Sequence, residues 1–104
     1  MSYLATYLIN LNRATERLLS AETEINRAGL HYERIPAVDG SKLTRQQKDQ
    51  YDEALAYKRF GRSLSGGEIG CYLSHVNAVD VFLKTDLEYC LVLEDDIKLD
   101  CDFN

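Results

Sequence analysis

The spacing of apolar residues switches between two periods along this chain, and that alternation limits the fold more than any single motif. Residues 3–9, "YLATYLI", form a continuous β-rich apolar run, the length of one buried strand. From Ala14 the apolar positions fall at Leu18, Ala21, Ile25 and Ala28, a 4-3-4-3 helical step, and Gly29 supplies a left-handed stop. "HYERIPAVDG" reads as a second, shorter strand closed by a turn at Asp39-Gly40. Thr44 and Gln47 have capping-box spacing, which predicts a mostly polar helix to about residue 57. The basic, glycine-containing "YKRFGRSLSGG" reads as a loop. Ser65 and Glu68 form a second S-x-x-E box, opening a helix with Ile69, Tyr72, Leu73, Val76, Val79 and Leu83 on its apolar stripe. "EYCLVL" then gives a third strand, which ends abruptly in Glu94-Asp95-Asp96.

The resulting order, β-α-β-α-α-β, predicts a single α/β domain over residues 1–104, built on an open parallel sheet. Right-handed crossovers place strands two and three on either side of strand one, in the order 2-1-3. Ligands of such sheets bind beyond the carboxyl ends of the strands, where the strand order reverses. Those ends are "INLNR", "AVDG" and "LEDD". The polar residues that break the apolar pattern therefore gather on one rim.

Charge narrows the ligand. Residues 1–62 carry ten Lys/Arg against eight Asp/Glu, a balance of +2, whereas residues 63–104 carry two against nine, a balance of −7. The split lacks the clustered positive face that a nucleic-acid partner needs. It suits a site that joins a cation to an anionic ligand, although solvated surface charge is the ordinary reading for most of these side chains. The three cysteines (Cys71, Cys90, Cys101) form no CxxC pair. Cys71 and Cys90 read as small buried hydrophobes in a reducing compartment. The segment "YLATYLINL" is too short for a membrane span and lacks the charged start of a signal peptide, so a cytoplasmic location is expected.

On an extended strand Glu94 and Asp96 point to one side and Asp95 to the other. Two carboxylates together suit Mg²⁺ or Mn²⁺, and the alternative is a solvated strand end. In "NLNRATER", Asn12 is placed to cap the first helix, while Arg13 and Arg17 lie one turn apart, within reach of a phosphate or simply as surface charge. Asp39 suits a ribose hydroxyl as well as a turn. Gly66 and Gly67 permit close backbone approach at a helix N-terminus, which favours anions. Ser74 and His75 follow two turns on, Ser74 near the polar margin of the helix. No Ser/His/Asp arrangement supports nucleophilic catalysis.

The succession "YLINLNRATERL", "YERIPAVDG", "RFGRSLSGGEIGCYLSH" and "YCLVLEDDIKLD" resembles the opening half of glycosyltransferase family 25. That family includes bacterial lipooligosaccharide galactosyl- and glucosyltransferases and animal collagen galactosyltransferases. The resemblance implies a partial GT-A-like (Rossmann-like) fold in which residues 1–104 are the nucleotide-sugar-binding half. It implies a UDP-sugar donor, a saccharide or lipooligosaccharide acceptor, and inverting transfer assisted by Mn²⁺ or Mg²⁺. It places Glu94, Asp95 and Asp96 at the metal–diphosphate position. Asn10, Leu11, Asn12, Arg13, Arg17 and Asp39 fall in the nucleotide pocket, joined by Gly67, Ser74 and His75 from the "GEIGCYLSH" hallmark.

The transfer itself is a displacement at the anomeric carbon with a carboxylate general base, expected beyond Asn104. The chain is accordingly expected to be part of a longer enzyme, or a naturally short product, that lacks the acceptor half. The full enzyme is expected to be soluble or peripheral at the inner membrane. An open edge at the third strand invites self-association. The rival reading is a non-catalytic nucleotide-binding or interaction module that keeps the family's shape. A flavodoxin-like signalling domain is disfavoured, because that fold needs five strands.

Overall fold

A computed structural model describes residues 4–99. The order of elements is β1 (Leu4–Asn10), α1 (Thr15–Arg27), β2 (Glu33–Pro36), α2 (Arg45–Asp49), α3 (Glu53–Phe60), α4 (Gly66–Leu83) and β3 (Tyr89–Glu94). The three strands form one parallel sheet in the order β2-β1-β3, as the alternating periods predict. Tyr7 lies opposite Glu33 and Asn10 opposite Pro36, while Leu4 lies opposite Tyr89 and Ile9 opposite Glu94. This register brings all three carboxyl ends to one level.

Each face of the sheet is covered by one helix. Leu8 and Leu93 pack with Ala21 and Ile25 of α1, the middle of the 4-3-4-3 stripe. Tyr7, Ile9 and Ile35 pack on the other face with Ala78 of α4, which crosses all three strands. Gly29 has φ +74° and ends α1 as expected.

Three expectations change. The helix from Thr44 is two helices. Thr44 and Gln47 do form a capping box, but Asp52 recaps the chain by accepting from Leu55 N at 2.9 Å, so α2 stops and α3 begins. α3 then continues to Phe60, so Tyr57–Phe60 are helical and only the remainder of "YKRFGRSLSGG" up to Ser65 is loop, anchored where Leu64 N donates to the Tyr51 hydroxyl.

The second change concerns α4. Its capping box forms as predicted, with the Ser65 hydroxyl accepting from Glu68 N and the Glu68 carboxylate accepting from Ser65 N. The buried side is different. Ile69 and Leu73 face inward, yet Tyr72, Val79 and Leu83 are exposed, and Gly70, Ser74 and Ala78 take their place against the protein. These small residues, one per turn, let the helix backbone approach closely. A Cβ at Gly70 would lie 2.6 Å from the Val38 carbonyl oxygen, and one at Gly40 would overlap the Gly66 carbonyl.

Third, Cys71 is exposed and not a buried hydrophobe, whereas Cys90 is half-buried and packs against the core as expected; both are free thiols. Cys101 lies outside the described residues. No described helix is long and apolar enough to cross a membrane.

Candidate functional site

The strand ends meet the first turn of α1 and the first two turns of α4 around a cleft of about 480 Å³, within the usual range of a small-molecule site. Its wall holds Asn10, Leu11, Arg13, Arg17, Asp39, Gly67, Cys71, Ser74, Glu94, Asp95 and Asp96. Asn12 and His75 are not part of this wall.

Asn10 is the hub of the rim. It is 2% exposed, and every polar atom of its side chain is engaged. Its Nδ2 donates to the Ala14 carbonyl at 3.1 Å and to Asp95 Oδ2 at 2.7 Å, while its Oδ1 accepts from Arg34 Nε at 3.0 Å. One side chain thereby ties together the ends of β1 and β3, a β2 residue and the start of α1. Asn10 positions the site rather than offering a free group to a ligand.

Arg34 went unnoticed in the sequence. It lies on the α1 face of a short strand, and only the register opposite Leu8 brings it to Asn10. Its guanidinium also donates to the Asn10 carbonyl at 2.8 Å and to Asn12 Oδ1 at 2.7 Å. Asn12 is therefore not the cap of α1, whose N-cap, Ala14, has no side-chain hydrogen bond.

The acidic cluster divides by role. β3 ends at Glu94, so Asp95 and Asp96 lie in a turn and strand alternation does not govern them. The Asp95 side chain is only 10% exposed and pairs with Arg17 Nη2 at 2.7 Å as well as with Asn10. Glu94 and Asp96 remain exposed on the cleft. Among the described residues no side chain pairs with Asp96.

Asp39 accepts from the Ser41 hydroxyl at 2.6 Å, from Ser41 N at 3.0 Å and from Arg13. These donors, Ser41 foremost, hold its carboxyl down at about 2. Ser74 is buried, not marginal: its hydroxyl accepts from Val38 N at 2.8 Å and donates to the Gly70 carbonyl at 2.7 Å, fastening α4 to the segment after β2. His75 is half-buried and lies with Cys71 and Glu94 in one cluster whose ligand atoms are all within 4.8 Å of one another. The Cys71 thiol donates to Glu94 Oε1 at 3.6 Å. Partial burial and the adjacent carboxylate raise that thiol above its ordinary value.

The cleft thus offers two exposed guanidiniums, two exposed carboxylates and the N-terminus of α4 within one small volume. That combination suits an anionic ligand bound together with a cation.

Comparison with known proteins agrees with the motifs. The family model described as glycosyltransferase family 25 (LPS biosynthesis protein) matches residues 3–104. A glycosyltransferase 25 family member of Anopheles gambiae is 37% identical over 90% of this chain and 17% of its own length. Procollagen galactosyltransferase 1 of Danio rerio is 32% identical over 99% of this chain and 18% of its own length, and procollagen galactosyltransferase 2 of Homo sapiens 33% identical over 99% and 17%. The chain therefore spans less than a fifth of the curated relatives it matches. No solved structure matches it. With the family model covering all but two residues and the motif-bearing segments converging on one rim, the chain belongs to glycosyltransferase family 25.

Proposed function

We propose that this chain is the donor-binding part of a hexosyltransferase, which moves galactose or glucose from a UDP-sugar to a hydroxyl of a saccharide acceptor, the lipooligosaccharide type being the specific expectation. The observation that carries the reading is the shared rim, where Arg13, Arg17, Glu94 and Asp96 face one cleft in a chain of this family. The relatives named as procollagen galactosyltransferases support galactose as the sugar.

The residues divide the work by chemistry. Arg13 and Arg17 offer planar N–H pairs to diphosphate oxygens. The α4 N-terminus at Gly67 adds backbone donors and a favourable dipole for the same charge. Asp39, ionised far below neutral pH, accepts from ribose hydroxyls. Glu94 and Asp96 are hard oxygen donors on the cleft, and Asp96 pairs with no described side chain, so the pair fits a divalent ion that keeps several waters. Mn²⁺ or Mg²⁺ bound there supplies charge neutralisation of the departing diphosphate. Asp95, engaged by Asn10 and Arg17, fixes the turn that carries its neighbours. The acceptor oxygen attacks the anomeric carbon as the glycosyl–phosphate bond breaks, and its proton passes to a carboxylate base.

The test is thermal denaturation with Mn²⁺, with and without UDP. A ligand at a hundredfold excess over its Kd stabilises by about 2.7 kcal/mol, or roughly 10–20 °C in a domain of this size. Asp96→Ala is expected to remove the shift while leaving the ligand-free melting point unchanged. No shift with UDP, GDP or CMP in the presence of either metal would instead favour the second reading. That reading, an interaction module keeping the family's shape, draws on the full engagement of Asn10, Ser74 and Asp95 inside the protein.

A further inference from the structure

The Cys71–His75–Glu94 cluster adjoins the donor cleft, and the donor reading uses only its Glu94. Cys71 and His75 stand four residues apart on α4, so their side chains are neighbours on one helix face. Glu94, the last residue of β3, reaches the same point from the sheet. Thiolate, imidazole and carboxylate are the donor set of a borderline-soft ion, whereas Mg²⁺ and Mn²⁺ take oxygen. Spacing agrees with donor type. A tetrahedral centre with Zn–S about 2.3 Å and Zn–O about 2.1 Å sets sulfur and oxygen ~3.6 Å apart, and the Cys71 Sγ to Glu94 Oε1 distance is 3.6 Å. The imidazole ligand atom lies within 4.8 Å of both. Cys71 and Glu94 are exposed and His75 half-buried, which leaves the fourth position open to water.

We propose that Cys71, His75 and Glu94 form a Zn²⁺ site, distinct in donor type from the oxygen-only pair Glu94 and Asp96 but sharing Glu94 with it. Binding exchanges the thiol proton for the metal: the Cys71 S–H bond breaks, the S–Zn bond forms, and the proton leaves to solvent. Because one carboxylate serves both sites, Zn²⁺ at the cluster opposes the hard ion on the cleft. The site itself does not depend on the donor-binding reading.

The probe is Co²⁺ added to the reduced 104-residue chain, read by its thiolate-to-metal charge-transfer absorption, followed by displacement with Zn²⁺. The expected result is a thiolate band at one equivalent, bleached by Zn²⁺, with about one proton released per metal as the thiol ionises. Cys71→Ser is expected to abolish the band. His75→Ala is expected to weaken binding by at least roughly 10–100-fold, the cost of disturbing even an outer partner of a metal site. Asp96→Asn is expected to leave the band in place, which separates this site from the donor's metal. Co²⁺ binding without a thiolate band, or a band that survives Cys71→Ser, overturns the proposal. A band lost on Asp96→Asn overturns the separation of the two sites, and circular dichroism of each variant checks that the fold is intact.

Discussion

Two carboxylates outside the proposed metal-binding pair are held far below their ordinary range, and each performs a local structural task. Glu68 receives both Arg62 guanidinium nitrogens, at 2.8 and 2.9 Å, and the Ser65 N–H at 2.9 Å, which hold it down at about 2 from an ordinary 4.5. Asp39 is held at about 2 from 3.8 by Ser41 and then Arg13. A carboxyl that binds its proton less readily when folded stabilises the fold fully above its unfolded value and loses that contribution as pH falls through the folded one. Acid destabilisation is therefore expected to begin near pH 4.5 and to continue toward pH 2. Glu68→Gln retains a capping-box acceptor but has no carboxyl to titrate, so its stability should change less across that window. Urea midpoints at a series of pH values for both proteins check this; parallel curves would contradict it. The Glu68 capping box was legible from spacing alone. Its Arg62 partner was not, because a guanidinium in a basic loop gives no sign of where it folds back.

Elements whose signal is local were readable, and those whose signal is tertiary were not. β1, α1 and β3 follow from period because most of their apolar residues pack into the two clusters on either face of the sheet. The inward side of α4 was misread because apolar bulk marks Tyr72, Val79 and Leu83, whereas close approach to the sheet selects Gly70, Ser74 and Ala78. Likewise the strand ends named the rim, but the assignment of Asn10, Asp95 and Ser74 to holding it together needed the parallel register and the β3 turn. The contact between α4 and the segment after β2 predicts opposite outcomes at two nearby glycines. Gly70→Ala places a methyl 2.6 Å from the Val38 carbonyl oxygen. Overpacking of this kind costs about 1–3 kcal/mol, a fall of roughly 4–8 °C in melting temperature for each kcal/mol. At Gly67 the nearest atom to an added Cβ is Ser65 Oγ at 4.0 Å. Gly67→Ala should therefore hold or raise the melting temperature, by up to about 1 kcal/mol of helix propensity. Equal destabilisation by both would mean that the tight fit is not what selects glycine at position 70.

At the scale of the whole molecule, the sheet has a helix on each face but no further strand beyond β2 or β3 among the described residues. The outer side of α4 adds an apolar stripe, with Tyr72 53%, Val79 42% and Leu83 70% exposed. Residues at these positions fall on one helix face, so the stripe is continuous rather than scattered. Two surfaces thus favour association of this chain in isolation: an unpaired strand edge and an apolar helix face. They are separable by substitution. Val79→Lys combined with Leu83→Gln changes side chains at the exposed face of α4 that are not among those packed on either core cluster, so stability should stay within about 0.5 kcal/mol. If the helix face dominates, sedimentation of the unaltered chain should show mass rising above 11.9 kDa with concentration, and the double variant should suppress that rise. If the double variant associates as strongly as the parent, the strand edge is the contact and the stripe is inert. A chain that stays at 11.9 kDa at every concentration shows that neither surface is adhesive enough to act alone.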